Sequence, residues 1–346
     1  MNKFIPIKNK TVSQDSLYII AEVGNQHNGD YETARKLIDV CIDAGADAAK
    51  FIFWYPDEIM VDNPPYTYKT VKGEVTEPMF DLLNRFRLST IDWYELKDYC
   101  LDKDIAFMST VLSPSGFELG KGLLMDAYKL SAWDWNFPDL FQWVASTGMP
   151  AIMDVGACTT RELDNVMKIF NHHENENAIL MHCIHADRND QMNMMAIPYL
   201  RDKYDCLVGY APASRDDELD LVAIGLGACV IEKRITLDRN ACVLHDALSK
   251  EPDEFKSYVE RMRKVKESLG KYALIPSDRD LGERKKWFRH VVADCNIPEG
   301  EIITRDMLEA KRGEFGINPE NIWTIAGARA RRTLARNEAI KPDDFA

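Results

Sequence analysis

Eight short apolar runs separated by stretches of helical spacing dominate the chain between residues 17 and 270. The runs are LYIIAEV (17–23), DAAKFIF (47–53), IAFMST (105–110), DAYKL (126–130), PAIMDV (150–155), AILMHC (178–183), DCLVGY (205–210) and ACVIEK (228–233). Each is short enough for a strand, and near-continuous apolar character marks a strand buried on both faces. Between them, patterns such as YETARKLIDVCIDAG and TRELDNVMKIFNHH repeat apolar residues at helical intervals. Eight buried strands joined by helical crossovers predict an α/β fold, a closed (β/α)8 TIM barrel. The rival, a doubly wound open sheet, wants a glycine-rich phosphate turn after its first strand, and EVGNQHNG lacks the G-x-G-x-x-G spacing.

After residue 270 the pattern changes. SLGKYALIPSDRDLGERKKW is polar and without periodicity, and reads as a linker centred on 276–285. The remainder, 286–346, has short strand-like runs broken by turns such as PEGE and RGEFG, a small β-rich domain behind a barrel domain of 1–275. So small a core is marginal alone and is expected to dock on something.

Charge and cysteine usage exclude several classes. The net charge of −13 argues against a general nucleic-acid or anionic-membrane binder, while leaving room for a local basic pocket for a small anion. MNKFIPIKNKTVSQDS is too polar for a signal peptide, and no apolar run approaches the roughly 18 residues of a membrane span. The eight cysteines are scattered without a CxxC pair, which predicts reduced core thiols in a cytoplasmic protein.

In a barrel of this kind the C-terminal strand ends form the active face. The first run ends in Glu22 and is followed by Asn25, Gln26, His27 and Asn28, more hydrogen-bonding side chains than a turn needs. Later ends add Lys50, Thr110, Lys129, Asp154, His182, His185, Tyr210, Glu232, Lys233 and Arg234. Lysines inside AAKF and AYKL are costly to bury unless they meet a carboxylate of the barrel, such as Glu22 or Glu232, or an anionic ligand. Two lysines and a threonine at three strand ends suit a small phosphorylated or carboxylated ligand.

The order of these motifs resembles the sialic acid synthase family, which condenses phosphoenolpyruvate with an amino sugar to make nonulosonic acids. IIAEVGNQHNGD, GADAAKF, MST, YKL, STGMP, IEKRITLDR and AKRGEFGI fall in the family's order over nearly the whole chain. The resemblance implies a C-terminal antifreeze-like (SAF, β-clip) domain that caps the partner's barrel in a homodimer, with sugar and three-carbon acid substrates. It implies that Glu22 is the first-strand glutamate and that Lys50, Thr110 and Lys129 hold the acid. Arg312 would reach the neighbour's substrate, where a planar guanidinium gives direction to a carboxylate or sugar oxygen.

Other positions depart from that pattern. The family holds a divalent metal, typically manganese, through two histidines; this chain has Ala213 and Arg234 there. Alanine cannot ligate and a guanidinium repels a cation, so no metal and no other cofactor is expected. Asp154 and Ala211 replace two serines of the phosphate cradle, Ser131 stands one place early beside Ala132, and His185 replaces an asparagine. His245 aligns with a catalytic aspartate, with Asp246 adjacent. One repair puts Arg234, with Lys233 or Arg188, in the metal's volume; the other builds a new metal site from His27, His182, His185 or His245 with Asp154, Asp187 or Asp246.

The resulting expectation is a divergent sugar-acid synthase that uses phosphoenolpyruvate or a related enol or keto acid without metal. Glu22, Arg234, His245 and Asp246 are its catalytic candidates. Asn25, His27, Lys50, Thr110, Lys129, Ser131, Asp154, His185, Glu232 and Arg312 are its substrate contacts. A metal-independent lyase on the same barrel and a non-catalytic sugar-binding paralogue are the alternatives. The long segment 55–86 is expected to shape the acceptor pocket.

Overall fold

The computed structural model describes residues 3–346 except Asp187, Glu314, Phe315 and the side chain of Lys285. Two of these, Glu314 and Phe315, belong to the AKRGEFGI motif. The chain divides into two compact units, Met1–Gly270 and Lys271–Ala346.

In the first unit eight parallel strands close into a barrel. They are β1 (Tyr18–Gly24), β2 (Ala48–Ile52), β3 (Ala106–Thr110), β4 (Ala127–Leu130), β5 (Ala151–Val155), β6 (Ala178–His182), β7 (Leu207–Tyr210) and β8 (Val230–Arg234). β8 pairs with β1 and completes the ring. Helices α1 (Tyr31–Ala44), α2 (Thr90–Asp102), α3 (Pro114–Gly122), α4 (Pro138–Ser146), α5 (Thr160–His172), α6 (Ala196–Tyr204), α7 (Glu218–Leu226) and α8 (Pro252–Ser268) follow the strands in turn. Their starts carry the expected chemistry: Asp30 accepts from the Thr33 amide at α1, and Ser89 and Thr159 form capping boxes at α2 and α5.

Side chains alternate along each strand, so one residue in two points at the barrel axis. The outward set, including Ile19, Ala21, Phe51, Phe107, Leu180 and Val208, packs under the helices. The inward set Ile20, Ala48, Met108, Ile152, Met181 and Val230 fills the lower barrel, joined there by Ile5, Ile7 and Val12 of an N-terminal hairpin. The next inward layer towards the C-terminal ends is polar, and it forms the floor of the site.

Between β2 and α2 the segment 55–86 is ordered as a hairpin, Pro65–Thr70 with Gly73–Pro78, followed by helix Met79–Arg85. Its Tyr68, Leu82, Leu83 and Phe86 share an apolar cluster with Leu244 from the loop after β8.

The second unit has an antiparallel pair, β9 (Arg289–Ala293) with β10 (Leu308–Arg312), around a core that includes Val291, Ile297, Ile303, Leu334 and Ile340. The stretch 276–285, read as a linker without periodicity, contains most of a helix, α9 (Asp278–Trp287), capped by Ser277 with Asp280. Its polar sequence hid it because a helix that buries no apolar face shows no apolar period. All eight cysteines are free, and Cys41, Cys100, Cys183, Cys206 and Cys229 are buried. Among the described residues no helix is long and apolar enough to cross a membrane.

Candidate functional site

Two buried lysines, a half-buried arginine and three carboxylates meet at the C-terminal mouth of the barrel. Lys50 Nζ donates to Glu22 Oε1 at 2.7 Å and lies 3.4 Å from both Glu232 Oε1 and Thr110 Oγ1. Lys129 Nζ is 2.8 Å from Asp154 Oδ1 and 2.8 Å from Glu232 Oε2. Arg234 Nε is 3.5 Å from Glu22 Oε2. The formal charges of these six groups cancel.

The network divides its acids. Burial opposes ionisation of Glu22, but the charges of Arg234, Lys50 and Lys129 outweigh it and hold its carboxyl well below the usual range. Glu232 goes the other way: burial, with the charges of Glu22 and Asp154, pushes it up against Lys129 and Lys50. Two neighbouring carboxyls driven apart in this way are suited to accept and donate a proton respectively. Burial disfavours the Lys129 ammonium, yet Asp154, Glu232 and Glu22 hold its pKa above the ordinary value. Burial and then the Arg234 charge depress His185 and His245, the latter to about 3, so both imidazoles are neutral.

Above this floor lies a cavity of about 320 Å³, lined by Glu22, Asn25, Lys50, Thr110, Ser131, Asp154, His185, Glu232, Arg234 and His245 among others. Lys129, 1% exposed, is not part of that lining and is held by Asp154 and Glu232. The upper wall was not foreseen residue by residue. Trp54, Tyr66, Met79, Leu82 and Leu83 come from β2's end and the 55–86 segment, and Trp133 lies against His185 with ring centroids 5.1 Å apart and planes tilted by 38°. Trp54 Nε1 donates to Asn25 Oδ1 at 2.7 Å, fixing that amide at the rim. The aromatic and apolar composition of 55–86 was the available signal.

Two of the expected site residues, His27 and Asp246, lie elsewhere. His27 is outside the cavity: its Nδ1 accepts from the Gly29 amide and its ring packs on Phe51 and Trp93 behind the wall. Asp246 is also outside, accepting from Thr236 Oγ1 and the Val243 amide at 2.6 Å each, and so holding the loop that presents His245. His245 itself adopts a left-handed backbone, φ 77°, and faces the cavity. Ser131 Oγ accepts from the Trp133 amide at 3.2 Å. Lys233 points outward to Asp220, Arg188 pairs with exposed Asp190, and His182 bonds the Met192 carbonyl on the outer side. Arg312 is in the second unit, where its Nε donates to the Trp287 carbonyl at 3.0 Å.

A divalent metal does not suit the donors present. Ala213 offers no lone pair, and Glu22 and Glu232 keep the Arg234 guanidinium charged against the effect of burial. Among the described residues no three His, Cys, Asp or Glu side chains converge as a ligand set. Asp187, one of the alternative ligands, lies outside the described residues.

The architecture is a (β/α)8 barrel with an ionic cluster at its C-terminal mouth, followed in the chain by a small β-rich unit. More particularly, residues 37–273 match the NeuB family and residues 288–346 a SAF domain, and the chain belongs to the NeuB family. The N,N'-diacetyllegionaminic acid synthase of Legionella pneumophila is 28% identical, over 95% of this chain and 94% of its own. The human N-acetylneuraminate-9-phosphate synthase is 28% identical over 94% of this chain and 92% of its own. The crystal structure of an N-acetylneuraminic acid synthetase from Leptospira borgpetersenii, in complex with citrate, shares 26% identity with a TM-score of 0.73, covering 82% of this chain and 95% of that one. The relatives are sugar-acid synthases, and this chain is sialic-acid-synthase-like.

Proposed function

We propose that this protein joins a three-carbon enol or keto acid to the aldehyde of an open-chain sugar, with Arg234 supplying the fixed positive charge that the family's metal supplies elsewhere. The observation that carries this reading is the Arg234 guanidinium, set at the cavity floor beside Glu22 where a neutral histidine would be needed for a metal. Lys50 and Thr110, which line the cavity, receive the carboxylate of the acid. Arg234 polarises the aldehyde oxygen; a preorganised cation in a poorly hydrated pocket stabilises developing negative charge strongly. Glu22, held ionised, accepts a proton, and the Glu232 carboxyl returns one. The apolar and aromatic wall excludes water and packs the carbon skeleton and substituents of the sugar.

In the same reading the second unit of one chain offers Arg312 to the barrel of its partner in a homodimer. Light scattering at micromolar concentration is expected to give a dimer, and a monomer would remove this part of the proposal. The condensation is tested by incubating the full-length protein with phosphoenolpyruvate or pyruvate and a panel of amino sugars, following acid consumption and product mass. Sugar-dependent formation of an adduct three carbons longer supports the reading. Sugar binding without consumption of any acid, across the panel, would point instead to a non-catalytic sugar-binding protein.

A further inference from the structure

We infer that the acid taken by this site carries a carboxylate and no phosphate, a 2-oxo acid of the pyruvate class, because the Asp154 carboxylate already fills the anion position against Lys129. The inference rests on the condensation reading above and specifies its donor. Asp154 is the most exposed carboxylate of the network, 15% against 8% for Glu22 and 5% for Glu232, and it faces the cavity. Its Oδ1 is 2.8 Å from Lys129 Nζ, which is also held by Glu232 at 2.8 Å. A ligand arriving on that side therefore meets a carboxylate where the ammonium would otherwise be presented.

The neighbouring wall gives a phosphate little in exchange. Of the residues after β6 and β7 that line the cavity, Cys183, Ala211 and Ala213 offer no hydroxyl or amide side chain and His185 is neutral, while the Ser131 hydroxyl after β4 already accepts from the Trp133 amide. With Glu232 carrying the proton it donates, the three cations exceed Glu22 and Asp154 by one charge, so the further negative charges of a phosphorylated acid would enter unbalanced, with one of them against Asp154. Like charges at contact distance in a poorly screened cavity repel strongly. A 2-oxo acid brings one negative charge. Lys50 and Thr110 receive it, and Arg234, whose only ion pair among the described residues is the long one to Glu22, is left to the aldehyde oxygen.

The chemistry closes without a leaving group. The methyl carbon of the 2-oxo acid loses a proton to Glu22 and bonds to the aldehyde carbon, and the aldehyde oxygen gains a proton from Glu232. Nothing is oxidised or reduced and no co-reactant is consumed, so the same site would also cleave its product.

Isothermal titration of the full-length protein with pyruvate and with phosphoenolpyruvate reads the selection directly. Wild type is expected to bind pyruvate at least tenfold more tightly. Asp154→Ser and Asp154→Asn should each shift the ratio towards phosphoenolpyruvate by at least tenfold; if one fails to fold, the other together with the wild-type ratio decides. Equal or tighter binding of phosphoenolpyruvate by wild type, or a ratio unmoved in the folded variants, overturns the inference. Sugar-dependent phosphate release from phosphoenolpyruvate by wild type would also overturn it while leaving the condensation reading intact. No binding of either acid and no sugar-dependent reaction would remove both.

Discussion

Strand β8 feeds two buried ionic clusters, one on each side of the barrel wall. Inward, Glu232 and Arg234 join Glu22, Lys50, Lys129 and Asp154 beneath a cavity. Outward, Lys233 Nζ lies 2.9 Å from Asp220 Oδ2 and donates to the Asp216 carbonyl at 2.6 Å, while Tyr258 donates to Asp220 Oδ1 at 2.7 Å. The lysines respond oppositely. Burial lowers the Lys233 pKa because Asp220 only partly offsets it, whereas three carboxylates carry Lys129 above its ordinary value in spite of burial. The outer cluster fastens β8 to α7 and α8: Lys233 pairs with Asp220 and, at 3.6 Å, with Asp217, which also pairs with Lys250 and with Arg261 of α8, under the Tyr258 ring. The inner one fastens no helix, yet it gathers three cations and three carboxylates beneath the cavity. Ionic groups concentrated beyond structural need, next to a cavity, mark a place where a ligand redistributes them.

The largest effect that sharpens this contrast belongs to the outer cluster. Lys233→Met leaves Asp220 buried without its cation and should cost about 3–5 kcal/mol of unfolding free energy in urea, with ligand affinity of the folded protein unchanged. A loss below about 1 kcal/mol would erase the distinction between the two sides. Adding Asp220→Leu to Lys233→Met should recover much of the loss, since no buried charge remains.

The loop after β1 repeats the contrast on a smaller scale, with Asn25 at the cavity and His27 sealed behind Phe51 and Trp93. Burial lowers His27 to about 4, against about 6.5 when unfolded. Between those values the unfolded chain binds the extra proton, so stability rises with pH through this window and is lost as pH falls from about 6.5 towards 4. His27 alone accounts for about 3 kcal/mol of that loss. Urea titrations at a series of pH values should show the slope flattened by up to one proton in His27→Gln, and an unchanged slope would place the titration elsewhere.

Inside the cavity, Arg234→Ala should lower turnover at least a hundredfold, about 2.7 kcal/mol, while moving the unfolding midpoint less than Lys233→Met does. Wild-type turnover in this variant would reject Arg234 as the polarising group. The smallest effect is at the rim. Trp54→Phe removes the hydrogen bond to Asn25 and should weaken ligand binding by about 1 kcal/mol, read by calorimetry as a roughly fivefold change.

Much of this molecule was visible in its sequence for a physical reason: strands buried on both faces write themselves as continuous apolar runs. LYIIAEV became Tyr18–Gly24 and DAYKL became Ala127–Leu130 within it. The buried lysines were legible too, since an ammonium inside such a run demands a partner. What continuity cannot reveal is direction. EKR at the end of β8 offers three adjacent charges, and only the pairing with β1 decides that the first and third face the cavity. Loops were less legible: His27 and Asp246 sit beside residues that do face the cavity, Asn25 and His245, and local turn hydrogen bonds turned them away. The apolar wall from 55–86 depended on how a hairpin folds back over Leu244, a contact between segments far apart in the chain.

The pairing of β8 with β1 also works as a lock. Glu232 lies beside Ile20 and Arg234 beside Glu22, and the Ile235 amide donates to the Glu22 carbonyl. A slip of one residue would turn Lys233 into the mouth and press Glu232 and Arg234 against Asp220, exchanging the contents of the two compartments in one step. Length changes in the turn ahead of β8 are therefore doubly penalised. The excursion between β2 and α2 carries no barrel register and tolerates them. Descent can reshape the acceptor wall there, one insertion at a time, while the charges beneath it stay fixed.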